Sequence, residues 1–121
     1  MQILIVDDND QDRYLLKFLL RESAHTVIEA NSAQQAIDLF KEHRPNLILL
    51  DIQLPHIDGF ELTSMLKSFP EVSEIPIIAV TAHVLKEDRT RIAEAGMDGL
   101  IEKPVDPYTF MDRLGVYLSD V

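Results

Sequence analysis

Apolar residues are not scattered evenly along this chain. Continuous runs occupy Ile3 to Val6, Leu47 to Leu50 and Ile77 to Val80, with a short pair at Leu100-Ile101 and a weaker run from Thr26 to Ile28. The first three do not alternate with polar residues, as expected of strands buried on both faces. Between the runs the spacing becomes helical. Ala33, Ala36, Ile37 and Phe40 follow i, i+3, i+4, i+7, and Ser32 with Gln35 forms a capping box ahead of them. Leu15 with Leu19, and Leu16 with Leu20, stripe the preceding segment, while Leu62, Met65, Leu66 and Phe69 stripe a later one. Lys86 to Ala95 reads as a polar-faced helix stopped by Gly96. Asp106-Pro107 opens a last helix whose inner face is Phe110, Met111, Leu114 and Leu118.

The predicted order is strand then helix, five times over. That alternation specifies a parallel sheet with helices on both faces. Right-handed crossovers leave few topologies. At this length the natural one is the flavodoxin-like (βα)5 fold, α/β, with strand order 2-1-3-4-5. No repeat, low-complexity stretch or long linker interrupts the pattern, so residues 1–121 read as one domain.

Composition narrows the function. Without cysteine there is no disulfide scaffold, thiolate metal site or cysteine nucleophile. The net charge of −10, from 21 acidic and 11 basic residues, disfavours nonspecific nucleic-acid binding, which needs Lys and Arg against phosphates. No apolar run approaches the roughly 20 residues that span a bilayer, and the short first run leads at once into Asp7-Asp8. The expectation is a cytoplasmic protein.

The runs end in residues able to do chemistry: Asp7-Asp8, Asp51, Thr81, and Lys103 through Glu102. Open α/β sheets bind ligands beyond the carboxyl ends of their strands, where the strand order reverses. There Asp7, Asp8 and Asp51 should converge, with Thr81 and Lys103 beside them. Clustered carboxylates repel unless a cation joins them. Oxygen-only ligands suit a hard ion such as Mg²⁺. A lysine charge and a threonine hydroxyl add what a phosphoryl group needs, and an aspartate can accept one covalently. Taken singly, each residue has a plainer reading. Asp7-Asp8 could cap a helix, Asp51 could be a turn residue, and Lys103-Pro104 could be an ordinary strand exit. Their joint occurrence, in order, at the ends of the first, third, fourth and fifth strands sets those readings aside.

Asp7-Asp8, the stretch Leu49 to Pro55 with Asp58-Gly59, Thr81-Ala82 and Lys103-Pro104 together resemble the receiver domains of two-component response regulators. The resemblance spans essentially the whole chain. It implies that Asp51 is the phosphorylated aspartate, that Asp8 ligates Mg²⁺ directly, and that Asp7 does so largely through water. The backbone carbonyl of Gln53 is implied as the third protein ligand. Thr81 would hydrogen-bond the phosphoryl oxygens, Lys103 would pair with them, and the Lys103-Pro104 peptide would be cis. The implied partners are a sensor histidine kinase or histidine phosphotransfer protein and a downstream protein. The downstream partner would be met through the face of the fourth helix, fifth strand and fifth helix. Leu100 stands where many members of that family carry an aromatic switch residue. Gln53 and His83 hold the variable positions that influence water attack on the acyl phosphate. A magnesium phosphohydrolase of the haloacid dehalogenase type would need an acid two residues after its nucleophile, where this chain has Gln53. A flavodoxin-like binding module that is never phosphorylated would have no use for the full residue set. No output domain fits in 121 residues, so the protein acts by contact alone or belongs to something larger. Met1 lies one residue ahead of the first strand, as at a natural start or a tight excision.

Overall fold

A computed structural model describes residues 2–21, 23–69, 74–82 and 86–118. Five strands alternate with five helices: β1 (Gln2–Val6), α1 (Asp10–Leu20), β2 (Thr26–Ala30), α2 (Ala33–His43), β3 (Leu47–Leu50), α3 (Gly59–Lys67), β4 (Ile77–Thr81), α4 (Lys86–Glu94), β5 (Gly99–Glu102) and α5 (Phe110–Leu118). All pairings are parallel, in the order β2-β1-β3-β4-β5. This is the expected flavodoxin-like topology.

The pleat explains why the central strands carry unbroken apolar runs. Successive side chains point to opposite faces, and both faces are covered. Leu4, Val6, Ile48, Leu50, Ile77 and Ala79 pack with Ala36, Ile37 and Phe40 of α2, Leu62 and Leu66 of α3, and Ile92 of α4. Ile3, Ile5, Leu47, Leu49, Ile78, Val80 and Ile101 pack on the other side with Leu16 and Leu20 of α1 and Phe110 and Leu114 of α5. Edge strand β2 is less covered and less apolar.

Local chemistry sets the helix ends. Ser32 Oγ accepts from the Gln35 N–H, and Gln35 Oε1 accepts from the Asn31 N–H, so the box closes one residue earlier than its simplest form. Gly96 follows α4 at φ +91°, the left-handed geometry that ends a helix on glycine. The regular part of α5 starts later than Asp106. Asp106 Oδ1 accepts from the Tyr108 N–H, and its carbonyl accepts from the Phe110 N–H, so Asp106 to Thr109 form the turn that feeds the helix. Within the expected stripes, Met65 and Met111 are exposed. The Leu118 side chain lies outside the described residues.

Candidate functional site

The strand ladders deliver the site residues to one edge of the sheet. The Asp7 N–H donates to the Ala30 carbonyl at 3.1 Å, and the Asp51 N–H to the Val6 carbonyl at 2.9 Å. The Lys103 N–H donates to the Thr81 carbonyl at 2.9 Å. Three of the four ladders thus run one residue past their strands, at β1, β3 and β5. Carried that extra step, the alternation puts Asp7, Asp51 and Lys103 on the α1/α5 side and Thr81 on the opposite side. Lys103 is also the first residue of a cis peptide, Lys103-Pro104.

Lys103 Nζ donates to Asp7 Oδ2 at 2.8 Å, to Asp12 Oδ2 at 2.8 Å and to Asp51 Oδ2 at 3.0 Å. Asp7 is 1% exposed, Asp51 7% and Thr81 3%, whereas Asp8 is exposed. Carboxylate oxygens of Asp7, Asp8 and Asp51 lie within 4.8 Å of one another. Burial pushes the Asp7 carboxyl above the ordinary carboxylate value. Hydrogen bonds from Lys103 and the Asn9 N–H pull it back, and the Asp51 charge adds to the rise. For Lys103, burial alone would lower the pKa. Its bonds to Asp12, Asp7 and Asp51 outweigh burial and hold the ammonium above the usual lysine range.

The loop after β3 is built around Asp51. Asp51 Oδ1 accepts from the Gln53 N–H at 2.9 Å, leaving Oδ2 to Lys103. His56 adopts φ +70° within that loop, and Asp58 caps α3 through the Glu61 N–H. The Gly59 N–H closes the loop onto the Ile52 carbonyl at 2.7 Å. A Cβ on Gly59 would sit 2.6 Å from Ile52 Cα and 3.0 Å from the Asp51 carbonyl oxygen. Backbone meets backbone there, which is why glycine follows Asp58.

Every predicted site residue among the described ones reaches this edge, while His83 lies outside the described residues. The sequence reading missed Asp12. It is the third residue of α1, and its N–H bonds the Asn9 cap, so the acidic-pair signal had no way to point to it. Asn9 rather than Asp7 or Asp8 caps α1, which leaves the Asp8 carboxylate out of the cap. The reading also missed Arg13. Its guanidinium donates to the Asp7 carbonyl at 2.7 Å, bonds Asp10, and lies 3.4 Å from Glu29.

Chemically the pocket offers a carboxylate held by one ammonium, beside an oxygen-only cluster of a kind that takes a hard cation. Four acidic side chains against Lys103 leave an excess of negative charge, so the donor set fits a divalent ion.

That fold and that edge define a phosphoryl-signalling receiver, and comparison with known proteins agrees. A family described as "Response regulator receiver domain" matches residues 3–115, and the chain belongs to it. The chain is 41% identical over 118 residues to the polar-differentiation response regulator DivK of Brucella anthropi, covering 98% of this chain and 96% of that one. The receiver domain of a signal transduction histidine kinase from Syntrophus aciditrophicus superposes with a TM-score of 0.89 at 31% identity, covering 99% and 91% of the two chains. A CheY-like receiver domain protein from Methanospirillum hungatei gives 0.88 at 30%, covering 98% and 94%. Vibrio cholerae CheY4, at 23% identity and a TM-score of 0.90 over 96% and 97%, shares the fold. Among the described residues no helix is long and apolar enough to cross a membrane.

Proposed function

We propose that residues 1–121 act as one receiver domain in which Asp51 takes the phosphoryl group from a phosphohistidine. The donor would sit on a sensor histidine kinase or a histidine phosphotransfer protein. The observation that carries this reading is the convergence on Asp51: Lys103 Nζ at 3.0 Å, with the Asp7 and Asp8 carboxylates clustered beside it. An Asp51 oxygen attacks phosphorus, the P–N bond breaks, and its electron pair stays on the imidazole. Lys103 balances charge on the transferring oxygens, as phosphoryl transfer requires. Asp7, Asp8, Asp51 and the Gln53 carbonyl would hold Mg²⁺, which when bound supplies charge neutralisation at the phosphoryl oxygens.

Thr81 Oγ1 donates to its neighbour's carbonyl, that of Ala82, at 3.4 Å. A bond so long is easily given up for a phosphoryl oxygen. Water later attacks phosphorus, the P–O bond to Asp51 breaks, and the carboxylate is freed as inorganic phosphate leaves, an autodephosphorylation influenced by Gln53 and His83. The phosphorylated form would meet its downstream protein through the face of α4, β5 and α5, in the cytoplasm.

Incubation with phosphoramidate and Mg²⁺ tests the reading. Intact mass should show one added phosphoryl group on the wild type and none on Asp51→Asn, with both proteins folded. Equal uptake by the variant overturns the assignment.

A further inference from the structure

The Lys103 ammonium has three N–H bonds. All of them are taken, by Asp7, Asp12 and Asp51. To reach an incoming phosphoryl oxygen, Lys103 has to release one partner. The three differ in what release costs. The Asp7 side chain is 2% exposed and that of Asp51 9%, so without a cation on the cluster either would be left charged and nearly dry. The Asp12 side chain is 39% exposed and water can take over its hydrogen bond. Asp12 also stands outside the close cluster formed by Asp7, Asp8 and Asp51. A cation bound by that cluster leaves Asp12 as a partner of Lys103 alone.

Building on the phosphoacceptor reading of Asp51, we infer that Asp12 is a positioning residue that holds Lys103 in the resting pocket and gives it up when the phosphoryl group arrives. Asp12 ties the first turn of α1 to the residue after β5, and competes with the phosphoryl oxygens for one N–H. It therefore slows phosphorylation and lowers the steady-state phosphorylated fraction. Gln or Asn in its place would still accept a hydrogen bond but would release the ammonium more readily, because a neutral acceptor binds it less tightly.

The test compares wild type, Asp12→Asn, Asp12→Glu and Asp10→Asn. Asp10 lies in the same helical turn, is 88% exposed and bonds Arg13 rather than Lys103. It therefore controls for a general loss of negative charge near the donor. With phosphoramidate and Mg²⁺, Asp12→Asn should be phosphorylated about two- to fivefold faster than wild type. Asp12→Glu and Asp10→Asn should stay close to wild type. Raising KCl from about 50 mM to about 500 mM should shrink the Asp12→Asn advantage. In the metal-free proteins, the Lys103 Nζ–H signal in 1H–15N NMR should shift in Asp12→Asn and return toward its wild-type position in Asp12→Glu. Equal or slower phosphorylation of Asp12→Asn overturns the inference, as does an equal gain in Asp10→Asn. A wild type that takes no phosphoryl group at all removes the reading of Asp51 itself, and this inference with it.

Discussion

Asp7 is a buried carboxylate, and burial works against its charged form. Its pKa is raised in the folded protein, chiefly by burial, so the folded state holds the Asp7 proton more tightly than the unfolded chain does. By linkage, the stability this provides is full below the unfolded carboxylate pKa. It is lost as pH rises through the folded value. At neutral pH a charged Asp7 is therefore a net cost in the metal-free protein. Asp7→Asn should raise the metal-free Tm at pH 7 by roughly 3–6 °C, the response of a domain this size to about 1 kcal/mol. The gain should fade as pH falls into the carboxylate range. Melting curves across pH 4 to 8 check this, and a gain that persists undiminished at the acid end would refute it. Lys103 runs the other way. Its raised pKa keeps its contribution intact until pH climbs past the ordinary lysine range, so it should add no slope near neutrality.

Among the described residues, α4 is the helix that buries the fewest side chains. Ile92 is its buried residue. Its other contacts include the Arg91 guanidinium 4.0 Å from the ring centroid of buried Phe60 and the exposed Arg89–Glu102 ion pair, each individually weak. A helix with so little buried should respond to a small shift of Thr81, which ends β4 ahead of it. Leu100 packs half-buried beside Ala79 of β4, and Arg113 of α5 donates to the Leu100 carbonyl at 2.7 Å. Movement of Thr81 thus has a physical route into β5 and α5. Leu100 is aliphatic and repacks without seeking a new hydrogen bond, so the response should be a graded population shift. Amide NMR with Mg²⁺ and beryllofluoride should show shift changes on α4, β5 and α5 that are largely lost in Thr81→Ala. Undiminished changes in Thr81→Ala, or changes centred on α2, would refute this route.

At the same scale, legibility depended on how local the signal was. Strand ends at Asp7, Asp51 and Thr81 could be read because a buried strand announces itself as an apolar run and its first polar residue marks the edge. Asp106-Pro107 carries the sequence mark of a helix start, yet Asp106 caps a turn that becomes a regular helix only at Phe110. Asp12 could not be found. Its role depends on a contact with Lys103, 91 residues away in sequence, and in the chain it looks like any acidic residue in a first helical turn.

Across the whole molecule, charge is the dominant feature. The chain carries −10, and part of that excess is gathered at the edge where Asp7, Asp8, Asp12 and Asp51 meet Lys103. A divalent ion that binds only the folded pocket should stabilise the protein by mass action, by roughly 1.4 kcal/mol at tenfold excess over Kd. Mg²⁺ should therefore raise the wild-type Tm by several degrees beyond KCl of equal ionic strength, and do so less in Asp8→Asn. A Tm that responds to the two salts alike would refute a specific metal site. Both core layers, and the crossovers that bring their strand ends together, place Asp51 at the edge where we propose that it is phosphorylated. Chemical trapping tests that directly. Borohydride reduces an aspartyl phosphate to homoserine, which peptide mapping by mass spectrometry can locate. After treatment with phosphoramidate and Mg²⁺, homoserine should appear at position 51 and nowhere else. Homoserine at Asp7, Asp8 or Asp12, or none at all in a folded, Mg²⁺-loaded protein, would contradict the account.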